Sequence, residues 1–433
     1  MLNLQPPTGS PPNPRSQEKP LWEARGHPHF RGKDILRKIF PLEILLLFVF
    51  SRLIIFGLGV LAFNIFPKYD QPAEYVITNH GAWQSPSLKL PLMLREITPL
   101  GFGHWHKFDS LWYEGIALKG YDSYKSKEKH PQANWLYFPL YPLLLSLLSN
   151  ILDIRVAGIV VSNILFYFSL LLFHEIIVLR THDRALGLRG VFYLLIFPTS
   201  IFFSLTYTES LFLFLTIAGF FFMDQKKYGW ASLAASLAAV TRIPGFLLGG
   251  IIILKYLREQ GLAGFKRPGK EILYFFFIPL PLLVFLFYMW GLTGDFLAPF
   301  REHRNWAGRT FAFPFLNWYR YLTQDPYFIY HGGWDLGILS FLILTGSLLT
   351  LFLGYKRISG LMFLYSFLHF LILSVSYPSL VSFTRYVSVI FPLYIIWASF
   401  SQNRVFDCLF TFSSLVLWTF YVIAFINNYY FVV

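Results

Sequence analysis

The sequence predicts an all-α polytopic membrane protein, on three observations. Hydrophobic residues fill 55% of the 433 positions and charged residues 14%, far less charge than a soluble domain of this length carries. Runs such as IFPLEILLLFVFSRLIIFGLGVLAF and VAGIVVSNILFYFSLLLFHEIIVL are long enough to cross a bilayer core as helices. Alternating ten-residue strands are absent, which argues against a closed barrel, the other architecture that satisfies its own backbone in lipid.

Taken in chain order, residues 1–38 are Pro-rich, polar and basic and read as a disordered cytoplasmic tail. They contain no cleavable signal peptide, so the first span serves as an uncleaved anchor. A single membrane-embedded domain is expected over 39–433. Its apolar segments lie near 40–66, 136–152, 156–179, 188–207, 209–223, 228–242, 243–257, 272–292, 335–354, 359–378, 383–400 and 406–426. That gives a bundle of about 11–13 membrane segments. The segments 228–242 and 243–257 are short and read as one hairpin turning at TRIPG (241–245).

Lys and Arg bias sets the orientation. Seven basic residues against three acids in 1–38 place the N-terminus inside, and five against one in KYLREQGLAGFKRPGK (255–270) place that loop inside too. Loops 67–135 and 293–334 are then both external. RTHDRALGLR (180–189) is basic and belongs inside, yet two full crossings between 136 and 179 would carry it out. At least one short segment in 136–223 is therefore expected to be re-entrant or partly inserted.

The net charge of +13 sits at helix flanks, the ordinary membrane pattern, and does not indicate nucleic-acid binding. One cysteine, Cys408, excludes an internal disulfide. No metal motif appears, since His104 and His106 lack a third spaced ligand. Glycine-rich phosphate loops are missing as well, so no nucleotide site and no cofactor is expected.

Against this apolar background a few polar residues need a reason. HWHKFDSLWYEGIALKGY (104–121) has helical spacing, with Phe108, Leu111, Trp112, Gly115 and Ile116 on one face, Asp109 as N-cap and Gly120 as the stop. It reads as an interfacial helix, and its carboxylate could equally accept a proton from a sugar hydroxyl. WLYFPLYPLL (135–144) fits an aromatic belt, or else a wall of Trp112, Tyr113, Tyr137 and Tyr141 against which a sugar or isoprenoid lies. Glu209, between two apolar runs in FPTSIFFSLTYTESLFLFL (197–215), either opens a helix or has a functional role. Arg242 and Arg385 stand at the external ends of their segments, snorkelling or offering a donor fork to phosphate. Arg301, His303, Arg304 and Arg309 surround Trp306 in the second external loop and could hold an anionic headgroup. Arg52, well inside the first span, could pair with a carboxylate such as Glu43 or Glu175.

HKFDSLWYEGIALKGY, YFPLYPLL, YTESLFLFL and TRIPG, in that order, resemble the family of the second mannosyltransferase of GPI-anchor assembly and its bacterial relatives. GDFLAPFREHRNW looks like the family's later loop, and TRYVSVIFPLY is a weaker echo. The departure is Phe108, where the family usually has Trp; it keeps an aromatic ring but loses the indole donor. The resemblance implies a GT-C-like glycosyltransferase bundle with its site on the external or luminal face. It implies a polyprenyl- or dolichyl-phosphate sugar as donor, most simply mannose, and a glycolipid or glycan acceptor. On that reading Asp109 is the base, Glu209 orients a sugar, and Arg242, Arg385, Arg301, His303 and Arg304 hold the donor phosphate. A bacterial plasma membrane is favoured over the endoplasmic reticulum because no retention signal is evident. The alternative from another class is a lipid or solute transporter or flippase, although no inverted repeat stands out.

Overall fold

The computed structural model describes residues 41–66, 101–123, 132–261, 269, 271–304, 310–323, 337–377 and 382–429. The tail 1–38 and the loop portions 67–100, 124–131, 305–309 and 324–336 lie outside the described residues, Trp306 and Arg309 with them.

Helix dominates, as the composition requires. The first span, α1 (Leu42–Ile65), carries Leu, Ile and Phe on nearly all sides and leaves much of that surface uncovered by protein. The interfacial helix α2 (Asp109–Lys119) ends at Gly120, whose φ of 79° stops the helix while its N–H still bonds Ile116. Its buried stripe is Ser110, Tyr113 and Ile116 rather than the expected one, and Leu111 points outward. The following helix, α3 (Leu140–Leu148), has nine residues, a length of about 14 Å against a hydrocarbon core of about 30 Å. By its length alone this helix is too short to cross.

Next come α4 (Ile154–Thr181), long enough to span, and α5 (Arg184–Leu195). The expected span 188–207 is broken: Pro198 follows the end of α5, a 3-10 turn occupies Ser200–Phe203, and helix resumes as α6 (Glu209–Asp224). The whole break is buried, so its freed backbone groups must find partners inside the protein. Its own composition supplies them. Ser200 Oγ donates to Leu195 O at 2.7 Å, Ser210 Oγ to Phe203 O at 2.7 Å, and Asn163 Nδ2 reaches Ser204 O at 3.2 Å.

The hairpin expected at TRIPG is present. α7 (Tyr228–Ala239) and α8 (Gly245–Gln260) pack side by side, and α7 packs on α6. Gly245 is needed there, because a Cβ at that position would lie 2.0 Å from Ala238 O. Leu140 N–H bonds Val240 O at 3.1 Å, which ties the start of α3 to the same turn.

The chain continues through α9 (Glu271–Phe276) and α10 (Leu280–Thr293), which together make a third apolar stretch of spanning length. The second loop begins with α11 (Ala298–Arg301) and ends with α12 (Leu316–Thr323). Between them a two-residue strand, Thr310–Phe311, pairs antiparallel with Ser376–Tyr377. Two shorter apolar helices follow, α13 (Gly337–Leu353) and α14 (Gly360–Ser374). The expected span 383–400 is also broken, into α15 (Phe383–Val387) and α16 (Pro392–Phe400), with Pro392 restarting the helix. The last span, α17 (Arg404–Ile426), packs against α1 and brings the two ends of the domain together.

Among the described residues four stretches are long and apolar enough to cross a membrane, and their exposed faces are lined by Leu, Phe and Val such as Leu53, Val284 and Phe412. The protein is an all-α polytopic membrane protein. Buried residues concentrate where α4, α6, α7, α8, α14 and α16 meet.

Candidate active site

Four of the residues singled out in the sequence meet in one chain of alternating charge. Asp109 Oδ2 lies 2.7 Å from Arg385 Nη1, and Arg385 Nε lies 3.2 Å from Glu209 Oε1. Glu209 Oε1 is in turn 2.7 Å from Arg242 Nη1. The four come from α2, α6, the α7–α8 turn and α15, so only the tertiary fold joins them.

Each carboxylate opens a helix: Asp109 is the first residue of α2 and Glu209 the first of α6. Exposed amides and the helix dipole favour negative charge at such positions. Asp109 is not the N-cap that the spacing suggested. Phe108 holds that place at a φ of 56°, a left-handed conformation uncommon for an aromatic residue. Asp109's carboxylate is turned away from the helix end: Oδ2 faces Arg385, and Oδ1 accepts from the Tyr137 hydroxyl at 3.1 Å. The Phe108 ring meets Phe425 edge-on at 5.7 Å, so the aromatic that replaces tryptophan packs in an apolar contact.

Exposure divides the chain. The Glu209 and Arg385 side chains are 1% and 4% exposed, whereas those of Asp109 and Arg242 are 21% and 15%. The interior pair is closed off, and the two ends are partly exposed. Paired charges are tolerated in so apolar a setting because each carboxylate has a guanidinium beside it. Aromatic faces complete the cradle: Arg385 lies 5.1 Å from the Tyr207 ring centre and 5.3 Å from Tyr386, and Arg242 lies 4.7 Å from Tyr386.

The expected aromatic wall assembles, but most of it is inside. Trp112 stacks on Tyr137 at 5.9 Å, and Tyr113 meets Tyr137 and Tyr141 edge-on at 5.1 and 5.4 Å. Tyr141 is fully buried, its hydroxyl 2.8 Å from Ser162 Oγ, while Trp112 is half-buried. The hydroxyl of Tyr137 on Asp109 is a contact that spacing did not reveal. Tyr207 and Tyr386 were also missed; adjacency in YTES and TRY was the available signal.

The basic loop is arranged differently. Arg301 is exposed and pairs with Asp295 at 2.9 Å, within its own loop. The neighbouring turn Glu302–Arg304 docks on the residues before Tyr137, where Glu302 Oε1 accepts from Ala133 N–H at 3.0 Å. His303 stands half-buried in that turn, and the side chain of Arg304 lies outside the described residues. Arg52 does not pair with Glu43, which is taken by Arg184 at 3.1 Å. Its guanidinium instead donates to Ser204 Oγ at 2.7 Å, pinning α1 to the broken segment that precedes Glu209.

The model of the mannosyltransferase (PIG-V) family matches residues 42–262, a stretch that contains Asp109, Glu209 and Arg242. The chain belongs to that family. It is therefore a membrane glycosyltransferase, and the transporter alternative falls away. Arg385 and the second loop lie beyond the matched residues of this PIG-V-family enzyme, and it is the fold that adds Arg385 to the cluster. A comparison with curated proteins found no match.

Proposed function

We propose that this PIG-V-family enzyme moves mannose from a polyprenyl- or dolichyl-phosphate donor to a hydroxyl of a lipid- or glycan-linked acceptor. The carrying observation is the chain Asp109–Arg385–Glu209–Arg242, with an accessible carboxylate at one end and an accessible guanidinium at the other. Asp109 accepts the proton of the acceptor hydroxyl, whose oxygen attacks the anomeric carbon as the bond to phosphate breaks. The configuration inverts in this single displacement. Arg242 offers its donor fork to the leaving phosphate, and the basic group of Arg301, His303 and Arg304 is a further anion contact at the second loop. Arg385 and Glu209 are too deeply buried to receive a sugar, so they act by holding the two ends in place.

A lipid-phosphate donor suits these residues. It diffuses within the bilayer and needs no nucleotide pocket, only cations for its phosphate and an apolar path for its chain. The basic tail and the basic loop 255–270 support a site on the opposite face, which is external in a plasma membrane and luminal in the endoplasmic reticulum.

The test uses purified enzyme, polyprenyl-phosphate-mannose and candidate glycolipid acceptors, with products read by mass spectrometry. Asp109→Asn should fold and express normally yet lose about 100-fold or more in transfer, the scale of a general base. Undiminished transfer by Asp109→Asn would remove Asp109 from the mechanism.

A further inference from the structure

A polar cavity lies on the far side of α2 from Asp109. It has a volume of about 390 Å³ and opens between α2, the turn at Gly103 and the start of α4. That size is within the range of small-molecule sites. Its charged lining is His106, Glu114, Lys119 and Arg155. Positions 114 and 118 lie well over a third of a helical turn from 109, so nothing that enters here meets the Asp109 carboxylate directly.

The charges are not balanced within the pocket. His106 Nε2 meets the Glu114 carboxylate, and the imidazole is 3% exposed with no partner on Nδ1. Burial pushes the His106 pKa down, against the pull of Glu114. Among the described residues neither Lys119 nor Arg155 has a carboxylate at ion-pair distance, and both are exposed. Asp153, the nearest acid in sequence to Arg155, accepts the Arg155 backbone N–H as cap of α4. Two cations over one carboxylate leave the lining itself with a single net positive charge, and the Asp153 carboxylate beside it acts on His106 as well.

The rim is apolar. Leu111 and Leu118 are two turns apart on one face of α2 and are 57% and 56% exposed. Gly115 lies between them, and a Cβ there would meet nothing within 4 Å, so the cavity is open along that wall. Charged floor and greasy lip together match an amphiphile at the membrane surface rather than a fully water-soluble ion.

We propose that this pocket binds the anionic phosphodiester headgroup of a membrane lipid, with Arg155 and Lys119 on the phosphate and Glu114 on a headgroup hydroxyl. The site is separate from the one at Asp109 and does not depend on the donor assigned there. Leu111 and Leu118 lie against the first acyl carbons.

Native mass spectrometry of full-length enzyme released from phosphatidylcholine nanodiscs, with and without phosphatidylglycerol, tests this. Wild type should retain phosphatidylglycerol in preference to phosphatidylcholine. Retention should fall about tenfold or more in the double variant Arg155→Ala, Lys119→Ala, the scale for losing charge-assisted contacts. Gly115→Leu, which fills the cavity and leaves every charge in place, should weaken retention as well, and thermal melting confirms that each variant is folded. Arg242→Gln should retain the lipid as wild type does. Equal retention by the double variant overturns the site, and loss in Arg242→Gln would assign the lipid to the catalytic cluster instead. Displacement of phosphatidylglycerol by inorganic phosphate at matching concentration would make it a free-oxyanion site and overturn the lipid assignment.

Discussion

At the scale of single residues, Arg385 has the most demanding position. It touches Asp109 at 2.7 Å and Glu209 at 3.2 Å from a 4% exposed side chain. Replacing it with methionine leaves Asp109 with no guanidinium and the almost fully buried Glu209 with Arg242 alone, and breaking a buried pair from one side costs about 3–5 kcal/mol. Arg385→Met should therefore lose both thermal stability and transfer. Arg385→Lys should fold better but stay impaired, because an ammonium cannot present two donors in a fixed fork. A melting curve beside a transfer assay separates the two effects. His106 gives a second expectation. Its pKa in the folded chain is depressed by burial, so its contribution to stability is complete above about pH 6.5 and declines as pH falls through that value. Acidification should lower the melting temperature, and His106→Gln should reduce the acid slope.

At the scale of elements, the site depends on where helices stop. Asp109, Glu209, Arg242 and Arg385 all lie at helix starts, turns or short helices, and none is in the middle of a long span. Breaks within an apolar bundle require local hydrogen-bond partners, which is why Ser and Thr crowd the run before Glu209. The turn at 240–244 leaves no room for a side chain at the residue that follows it, Gly245. Gly245→Val would drive a side chain into Ala238 O, which a Cβ at that position already approaches to 2.0 Å. We expect the variant to displace Arg242 and cut transfer by about tenfold or more, since small misplacements of catalytic groups can cost up to about 100-fold. Wild-type kinetics in Gly245→Val would show that the turn does not set the position of Arg242.

For the whole molecule, the charge bias makes a prediction about sidedness. On a Cys408→Ala background, Thr78→Cys should react with a membrane-impermeant thiol reagent in intact cells or vesicles of native orientation. Ser16→Cys should react only after permeabilisation. The reverse pattern would put the long first loop, Asp109 included, on the cytoplasmic side. The outer faces of α1, α10 and α17 carry exposed apolar side chains such as Leu53, Val284 and Phe412, consistent with lipid as their solvent. Packing of α1 on α17 closes the domain and places Lys107, just ahead of Asp109, on the carbonyl of Ile426 at 2.7 Å.

Some of this was determined by the sequence alone. Apolar runs of spanning length dictate helices, because unpaired backbone is too costly in hydrocarbon, and proline and glycine positions mark where those helices begin and end. The hairpin at TRIPG, the stop at Gly120 and the short segment after 136 were legible for that reason. So were Asp109, Glu209, Arg242 and Arg385, since charged residues beside apolar runs are conspicuous. Their partners were not legible. Glu209 has no basic neighbour in the chain, yet it receives two arginines from 33 and 176 positions away. The same holds for Arg52, read as the partner of a carboxylate and found on Ser204. Pairing of buried charges is decided by which helix ends converge, and that depends on packing between distant segments, which no local pattern encodes. Tertiary structure alone turned four isolated polar residues into one alternating chain with two closed members and two accessible ends.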